Sequence, residues 1–154
     1  MKVVTRHHLN NDEKQSVFEL WNNEYPEQLV YNSIEEFEEY LEKLIDQNHA
    51  LLVDNQGRIV GWYFDFIREE QRNFAIILDS EYHGKGFGTR LISYAKENHE
   101  ELNGWVIDHD DYKKRSGDNY ISPLEFYLKN GFEVIRNEKL ASSKITAIKI
   151  QWKR

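Results

Sequence analysis

Three glycines at alternate positions, Gly84, Gly86 and Gly88, separate an apolar run from a helical pattern. The apolar run, residues 74–78 (FAIIL), has the length of one buried strand. Glycine lets a backbone approach an anion closely, and the free amides and dipole at the start of a helix favour negative charge. A strand that passes through glycines into a helix is therefore typical of a phosphate-binding turn.

The spacing of these glycines narrows the choice of ligand. They read G-x-G-x-G, whereas the dinucleotide fingerprint needs G-x-G-x-x-G and the P-loop needs G-x-x-x-x-G-K-[ST]. Lys85 and Arg90 lie close enough in sequence to add positive charge to this turn. An equal alternative is that both are exposed, solvated cations that contact no ligand. A glycine-rich turn without any ligand also stays open, because short motifs often arise by chance.

A second segment, residues 123–133 (PLEFYLKNGFE), combines with this turn into a recognisable pair. The turn resembles motif A of the GNAT superfamily of N-acetyltransferases, [QR]-x-x-G-x-[GA], with His83 in the place usually held by Gln or Arg. The second segment resembles motif B, [FL]-Y-x-K-x-G-F. Two motifs in the right order on the right elements identify the chain as a member of this superfamily, with acetyl-CoA as its co-substrate.

The resemblance implies a set of residues that bind acetyl-CoA. Backbone groups of the preceding strand would pair with the pantetheine arm as an added strand, and the turn would hold the pyrophosphate. These residues are Ile76, Ile77 and Leu78 on the strand and His83, Gly84, Lys85, Gly86, Phe87, Gly88, Thr89 and Arg90 on the turn.

The resemblance also implies a general acid at Tyr127, which would protonate the departing CoA thiolate. A phenol with a pKa of ~10 stays protonated at neutral pH and can donate to a thiolate of pKa ~8.5; packing in the core is the alternative role. Asp108, at the end of the fifth strand, is a candidate general base, although an aspartate there is more often a turn former. Tyr120 and Pro123 stand where the family often has Asn and Ala, so substrate contacts do not transfer.

Composition excludes several other classes of function. The 154 residues carry 27 acidic and 20 basic side chains, a net charge of −7, which argues against a nucleic-acid binder. Cysteine is absent, so disulfides and thiolate metal sites are excluded. The first ten residues contain no apolar signal segment, and a cytoplasmic location is expected. The histidine–aspartate cluster at 109–111 lacks metal-ligand spacing, and we expect no metal and no membrane span.

The elements that position these motifs follow from periodicity and caps. A short first strand is predicted at Val3, and six more are predicted over residues 49–54, 58–67, 74–78, 105–107, 132–135 and 144–152. A turn is predicted at Asn103–Gly104, before the fifth strand. Helices are expected after Asn10 or Asn11, after a Ser33–Glu36 capping box with apolar positions to Ile45, after the glycine turn, and from Ser122 to Asn130. A polar loop covers residues 108–119.

This order predicts a single α/β domain over residues 1–154, with the GNAT fold. Its central mixed, mostly antiparallel twisted sheet would have about seven strands, flanked by about four helices.

The predicted activity is acetyl transfer to a primary amine of a small molecule or peptide, by direct attack in a ternary complex. Alternatives are a catalytically silent acetyl-CoA-binding module and an unrelated phosphate-binding domain. Trp21, Tyr25, Tyr31 and Trp62 fit core packing better than an acceptor cleft, and homodimerisation is left open.

Overall fold

The computed structural model describes all residues, Met1–Arg154. Seven strands and four helices follow one another along the chain in the predicted order. The strands are β1 Lys2–Arg6, β2 Ile45–Val53, β3 Ile59–Arg68, β4 Gln71–Leu78, β5 Glu101–Val106, β6 Glu133–Ala141 and β7 Thr146–Lys153; the helices are α1 Asn11–Glu24, α2 Ile34–Glu42, α3 Phe87–Asn98 and α4 Leu124–Lys129. None of the helices has the length and apolar character that crossing a bilayer requires.

The seven strands form one sheet in the order β1-β2-β3-β4-β5-β7-β6. All neighbours are antiparallel except β4 and β5, which are parallel because α3 crosses between them. The prediction of a mixed, mostly antiparallel sheet is confirmed.

Each face of the sheet has its own apolar core. Helices α1 and α2 cover β2 and β3 around Phe37 and Trp62, and helices α3 and α4 cover β3, β5 and β7 around Tyr63, Leu91 and Ile150. Adjacent residues Trp62 and Tyr63 belong to opposite cores because successive side chains of a strand point to opposite faces.

The helix caps differ in detail from the prediction. A reciprocal capping box forms at α1, where the Asn10 side chain accepts from the Glu13 N–H and the Glu13 carboxylate accepts from the Asn10 N–H. At α2 only half of the predicted box is present: Ser33 Oγ accepts from the Glu36 N–H at 3.3 Å. Helix α2 ends at Glu42 instead of continuing to Ile45, which begins β2 and is exposed.

The predicted turn at Asn103–Gly104 is wrong, because both residues lie inside β5. The Asn103 side chain is fully buried; it donates to the Arg72 carbonyl and accepts from Gln151. A Cβ at Gly104 would lie 2.9 Å from the Phe74 ring, so glycine permits close packing here. Tertiary contacts therefore override the turn preference of this pair.

Candidate active site

The sheet opens between β4 and β5. These parallel strands share one paired position, Asn73 with Asn103, and then diverge. Residues 74–78 of β4 consequently have β3 on one side and no strand on the other.

The backbone groups that face this gap follow from alternation along β4. The Asp79 N–H donates to the Val60 carbonyl at 2.9 Å, so Asp79 faces β3. The backbone N–H and C=O groups of successive residues point to opposite sides of a strand. Those of Ile77 therefore also point to β3, whereas those of Ile76 and Leu78 point into the gap. Of the three residues predicted to pair with pantetheine, alternation thus favours Ile76 and Leu78.

The glycine turn that follows β4 is held open by its backbone conformation. Gly84 and Gly86 have φ values of +73° and +85°, in the left-handed region that favours glycine. A Cβ on either residue would meet nothing within 4 Å, so the turn presents a bare backbone. Glycine is therefore required at both positions because of the backbone conformation.

A run of six backbone N–H groups on this turn has no partner within the protein. Between residues 84 and 89 no amide donates to a backbone or side-chain acceptor, and the first internal bond of α3 is Arg90 N–H to the Gly86 carbonyl at 3.1 Å. Unpaired amides at the start of a twelve-residue helix create a positive potential. The geometry suits an anion such as a pyrophosphate.

The charged side chains near the turn are free to assist. Lys85 and Arg90 are exposed and form no ion pair; Lys85 Nζ lies 5.6 Å from the centre of the Tyr82 ring, and Arg90 donates to the Met1 carbonyl. His83 instead donates through Nε2 to the Leu78 carbonyl at 2.8 Å, which occupies one acceptor that faces the gap.

The two sequence motifs touch at Gly88. A Cβ at this position would lie 3.0 Å from the tip of the Phe126 ring, on α4. Gly88 therefore lets the start of α3 pack directly against α4, which carries Tyr127. The contact fixes the position of the acid candidate relative to the glycine turn.

Tyr127 is 6% exposed and packs in the core between the sheet and the helices α3 and α4. Its ring contacts Phe74, Phe126 and Phe132, with centroid distances of 5.1–5.7 Å. Burial, followed by the neighbouring Tyr120 phenol, raises the pKa of Tyr127 above its ordinary value of 10. The phenol consequently stays protonated, and its ring fulfils the core role as well.

The base candidate is less well supported by contacts. Asp108 follows β5, is exposed, and forms no hydrogen bond or ion pair. Its neighbour His109 packs edge-on against Tyr112 at 4.5 Å and lies 3.4 Å from Thr146 Oγ1. No group of three His, Asp or Glu side chains forms a metal-binding arrangement.

The loop after β5 contains a hairpin that sequence reasoning missed. Tyr120 N–H donates to the Tyr112 carbonyl at 2.9 Å, and Lys114 N–H donates to the Asp118 carbonyl at 2.8 Å. These bonds close the 112–120 hairpin. Gly117, with a φ of +93°, was a local signal for its turn.

This hairpin is docked on the end of α1. The Glu27 N–H donates to the Lys113 carbonyl at 2.8 Å. Lys114 Nζ lies 2.9 Å from Glu24 Oε1, and Glu24 Oε2 accepts from the Ser80 N–H at 3.3 Å. A single carboxylate thus links α1, the hairpin and the segment between β4 and the glycine turn.

Four aromatic residues were predicted as core. Trp62 and Trp21 are 0% and 8% exposed, and Tyr31 packs against the same core. Tyr25 packs edge-on against Trp21 at 4.6 Å but also approaches Tyr120 of the hairpin at 6.5 Å.

A cavity of about 960 Å³ lies away from this gap, between α1 and the edge of the sheet at β1. A second cavity, of about 370 Å³, reaches Tyr82 and Phe87 beside the glycine turn and also contacts Arg58.

A family model described as an acetyltransferase (GNAT) domain matches residues 46–134, more than half of the chain. The matched range contains the glycine turn, the gap and α4. A search of curated proteins gives no match.

Solved structures share the fold over nearly the whole chain. An aminoglycoside 6'-N-acetyltransferase from Enterococcus faecium has a TM-score of 0.70 at 18% identity, covering 99% of this chain and 97% of the other. A phosphinothricin acetyltransferase from Sinorhizobium meliloti, in complex with AcCoA, gives 0.69 at 16% identity, with coverages of 99% and 89%. A variant spermidine N-acetyltransferase from Vibrio cholerae gives 0.67 at 18% identity, with 99% and 95%.

Proposed function

The chain belongs to the GNAT acetyltransferase family, and from that premise we propose that it transfers an acetyl group from acetyl-CoA to a primary amine by direct attack in a ternary complex. The observation that carries the proposal is the run of six unpartnered amides between residues 84 and 89. An open anion-binding turn beside a gap in the sheet fits a ligand with a pyrophosphate at one end and an extended amide-containing arm. We treat residues 1–154 as one domain, since a single continuous sheet connects them.

Residues of the chain have distinct roles in this proposal. Amides 84–89 would bind the pyrophosphate, with Lys85 and Arg90 adding charge. Backbone groups of Ile76 and Leu78 would bind the arm along β4. Acetyl-CoA supplies a thioester whose C–S bond breaks as the amine nitrogen forms a C–N bond, and the amine loses one proton.

The hydroxyl of Tyr127 would donate its proton to the departing sulfur. Its raised pKa keeps the donor protonated throughout the neutral range. The proton is recovered from solvent after the product leaves. Asp108 as the general base stays a prediction, for which its position after β5 is the support.

The test compares wild type with Tyr127→Phe. We expect acetyl-CoA to raise the melting temperature of both proteins, because a ligand at 100 times its Kd adds about 2.7 kcal/mol to the free energy of unfolding. ATP and NAD should have no such effect. CoA release with a panel of small amines and peptides should fall on the order of 100-fold or more in the variant, the usual size of an acid–base contribution.

Each outcome decides between the alternatives. Stabilisation by acetyl-CoA without transfer to any amine would favour the silent binding module. The same stabilisation by ATP would show that the turn binds phosphate without selecting acetyl-CoA. Undiminished transfer by Tyr127→Phe would remove this residue from its role as the acid.

A further inference from the structure

The 112–120 hairpin crosses the open end of the gap between β4 and β5. It follows β5, which forms one side of the gap, and it docks on the end of α1, which packs against β3 and β4 on the other side. The docking contact reaches the carboxyl end of β4, because Glu24 binds both Lys114 and the Ser80 N–H. Parallel strands have their carboxyl ends at the same end of a sheet. The hairpin therefore joins the two sides of the gap at that end.

The hairpin is held at its base as well as at its tip. At the base, the Tyr112 hydroxyl accepts from the Thr146 N–H at 3.0 Å, where β7 begins. Near the tip, Arg115 donates to Asn23 Oδ1 at 2.6 Å, beside the ion pair already described. Backbone hydrogen bonds connect the two arms between these anchors. A segment with this many bonds at both ends has a fixed position, unlike a free surface loop.

The hairpin and the glycine turn serve opposite faces of the sheet. Helix α1, on which the hairpin docks, belongs to one core, and α3, which the glycine turn leads into, belongs to the other. Acetyl-CoA bound to the amides of the turn would reach the gap from the α3 face. The acceptor amine is then left with the α1 face, where the hairpin borders the opening.

We infer that the hairpin is a fixed wall of the acceptor site and limits the acceptor to a small, slender amine, so that amines on the surface of a folded protein are excluded. This inference rests on the proposed function. An amine at the end of a short molecule can pass beside the hairpin into the gap. A folded protein that presents an amine would first have to break the contacts between the hairpin and α1.

The first experiment measures CoA release with free amines and with a folded protein. The free amines are glycinamide, putrescine and a capped lysine; the folded protein is ubiquitin, which presents both an α-amino group and lysine amines. We expect wild type to acetylate at least one free amine and to leave ubiquitin unmodified.

A variant without the tip of the hairpin provides the comparison. Residues 113–119 are replaced by Asn-Gly, which favours a two-residue turn. The Tyr120 N–H to Tyr112 carbonyl bond is the one that closes such a turn, so the shortened hairpin retains it. We expect the KM of the free amine to rise about tenfold, as the loss of one or two contacts would cause, and acetylation of ubiquitin to appear. An unchanged Kd of acetyl-CoA would show that the variant is folded.

The second experiment locks the hairpin with a disulfide. Pro26 and Lys114 are partners in an antiparallel bridge, and the bond from the Glu27 N–H to the Lys113 carbonyl makes them a non-hydrogen-bonded pair. The Cα atoms of such a pair are about 4.5 Å apart, a separation that permits a disulfide, and the chain has no cysteine of its own. Reduced Pro26→Cys/Lys114→Cys lacks the ion pair with Glu24, so its acceptor KM should exceed that of wild type several-fold. Oxidation should restore the wild-type KM without lowering kcat.

The outcomes separate this inference from its premise. If wild type transfers acetyl to no amine, the proposed function fails and the acceptor wall fails with it. If wild type is active, acetylation of ubiquitin at the rate of the free amines would overturn only the wall, as would an unchanged KM in the shortened variant. A double variant with the same KM in both redox states would overturn it too. Loss of turnover on oxidation, with recovery on reduction, would show that the hairpin has to open and is no fixed wall.

Discussion

At the scale of single residues, two glycines in the turn after β4 illustrate how sequence sets the backbone conformation. Gly84 and Gly86 both have positive φ and open space around Cα. Side chains there would meet no neighbour, so the requirement for glycine lies in the backbone and in access to the amides. Gly88 differs, since its requirement comes from the Phe126 ring.

Gly86→Ala should weaken acetyl-CoA binding about tenfold. An L-residue in the left-handed region costs about 1–2 kcal/mol, and the strain is relieved by moving the turn away from its anion-binding form. Titration calorimetry with acetyl-CoA measures the change. Gly57→Ala is a matched control, because Gly57 has a φ of +81° and open surroundings in the β2–β3 turn. Equal losses of affinity in both variants would contradict the assignment of the turn.

At the scale of elements, the 112–120 hairpin is the piece that the family motifs do not describe. It is fixed at the end of α1 by the main-chain hydrogen bond from Glu27 to Lys113, by the Lys114–Glu24 ion pair and by a hydrogen bond from Arg115 to Asn23 Oδ1. Both side chains of that pair are largely buried, 16% and 12% exposed, so water screens the interaction less than at an open surface. Glu24 is thus one of the residues that hold the hairpin, and with it Tyr120, in position.

Glu24→Gln should raise the acceptor KM several-fold while the Kd of acetyl-CoA stays unchanged. The amide cannot form an ion pair with Lys114, and a partly buried lysine without its partner is destabilising. Steady-state kinetics and limited proteolysis of the hairpin measure the two effects. Glu100→Gln is the control, since Glu100 pairs with Arg154 at an exposed site. An unchanged acceptor KM would show that the hairpin does not shape the acceptor site.

At the scale of the whole molecule, buried polar groups distant from the glycine turn connect strands of the sheet. Asp65 accepts hydrogen bonds from Tyr63, His99 at 2.7 Å and Arg72 at 3.0 Å, which connect β3, β4 and the end of α3. His49, on β2, accepts from the Trp62 indole at 3.0 Å through Nδ1 and donates to Gln47 through Nε2. This second arrangement requires a neutral imidazole, because Nδ1 acts as an acceptor.

Protein stability should therefore fall in mild acid. Burial lowers the pKa of His49 from 6.5 to about 4. The unfolded chain binds this proton more readily than the folded protein does. The free energy of unfolding therefore falls by up to about 3 kcal/mol as the pH decreases from 6.5 toward 4. Urea unfolding between pH 7 and 4 measures the loss. His49→Phe keeps the ring packing without titrating, and its stability should decline less steeply than that of wild type; parallel curves would refute the assignment.

Much of this architecture could be predicted from local sequence. The Asn10 cap, the side of α3 that carries Leu91 and Ile92, and the glycine turn all depend on residues a few positions apart. Predictions failed where distant contacts decide: Asn103 and Gly104 have the composition of a turn, yet Phe74 and Gln151 place them in a strand.

The sequence by itself determined the order of elements, the bare amides of the glycine turn and the positions of the two family motifs, since each arises from neighbouring residues. Only the tertiary structure decided that β4 and β5 separate after one paired position, that Gly88 contacts Phe126, and that Tyr120 approaches Tyr25. These features join residues far apart in the chain, and their geometry follows from how the sheet and helices pack together. The family motifs and the glycine turn are thus local properties of the chain, whereas the gap in the sheet and the docking of the hairpin are properties of the fold.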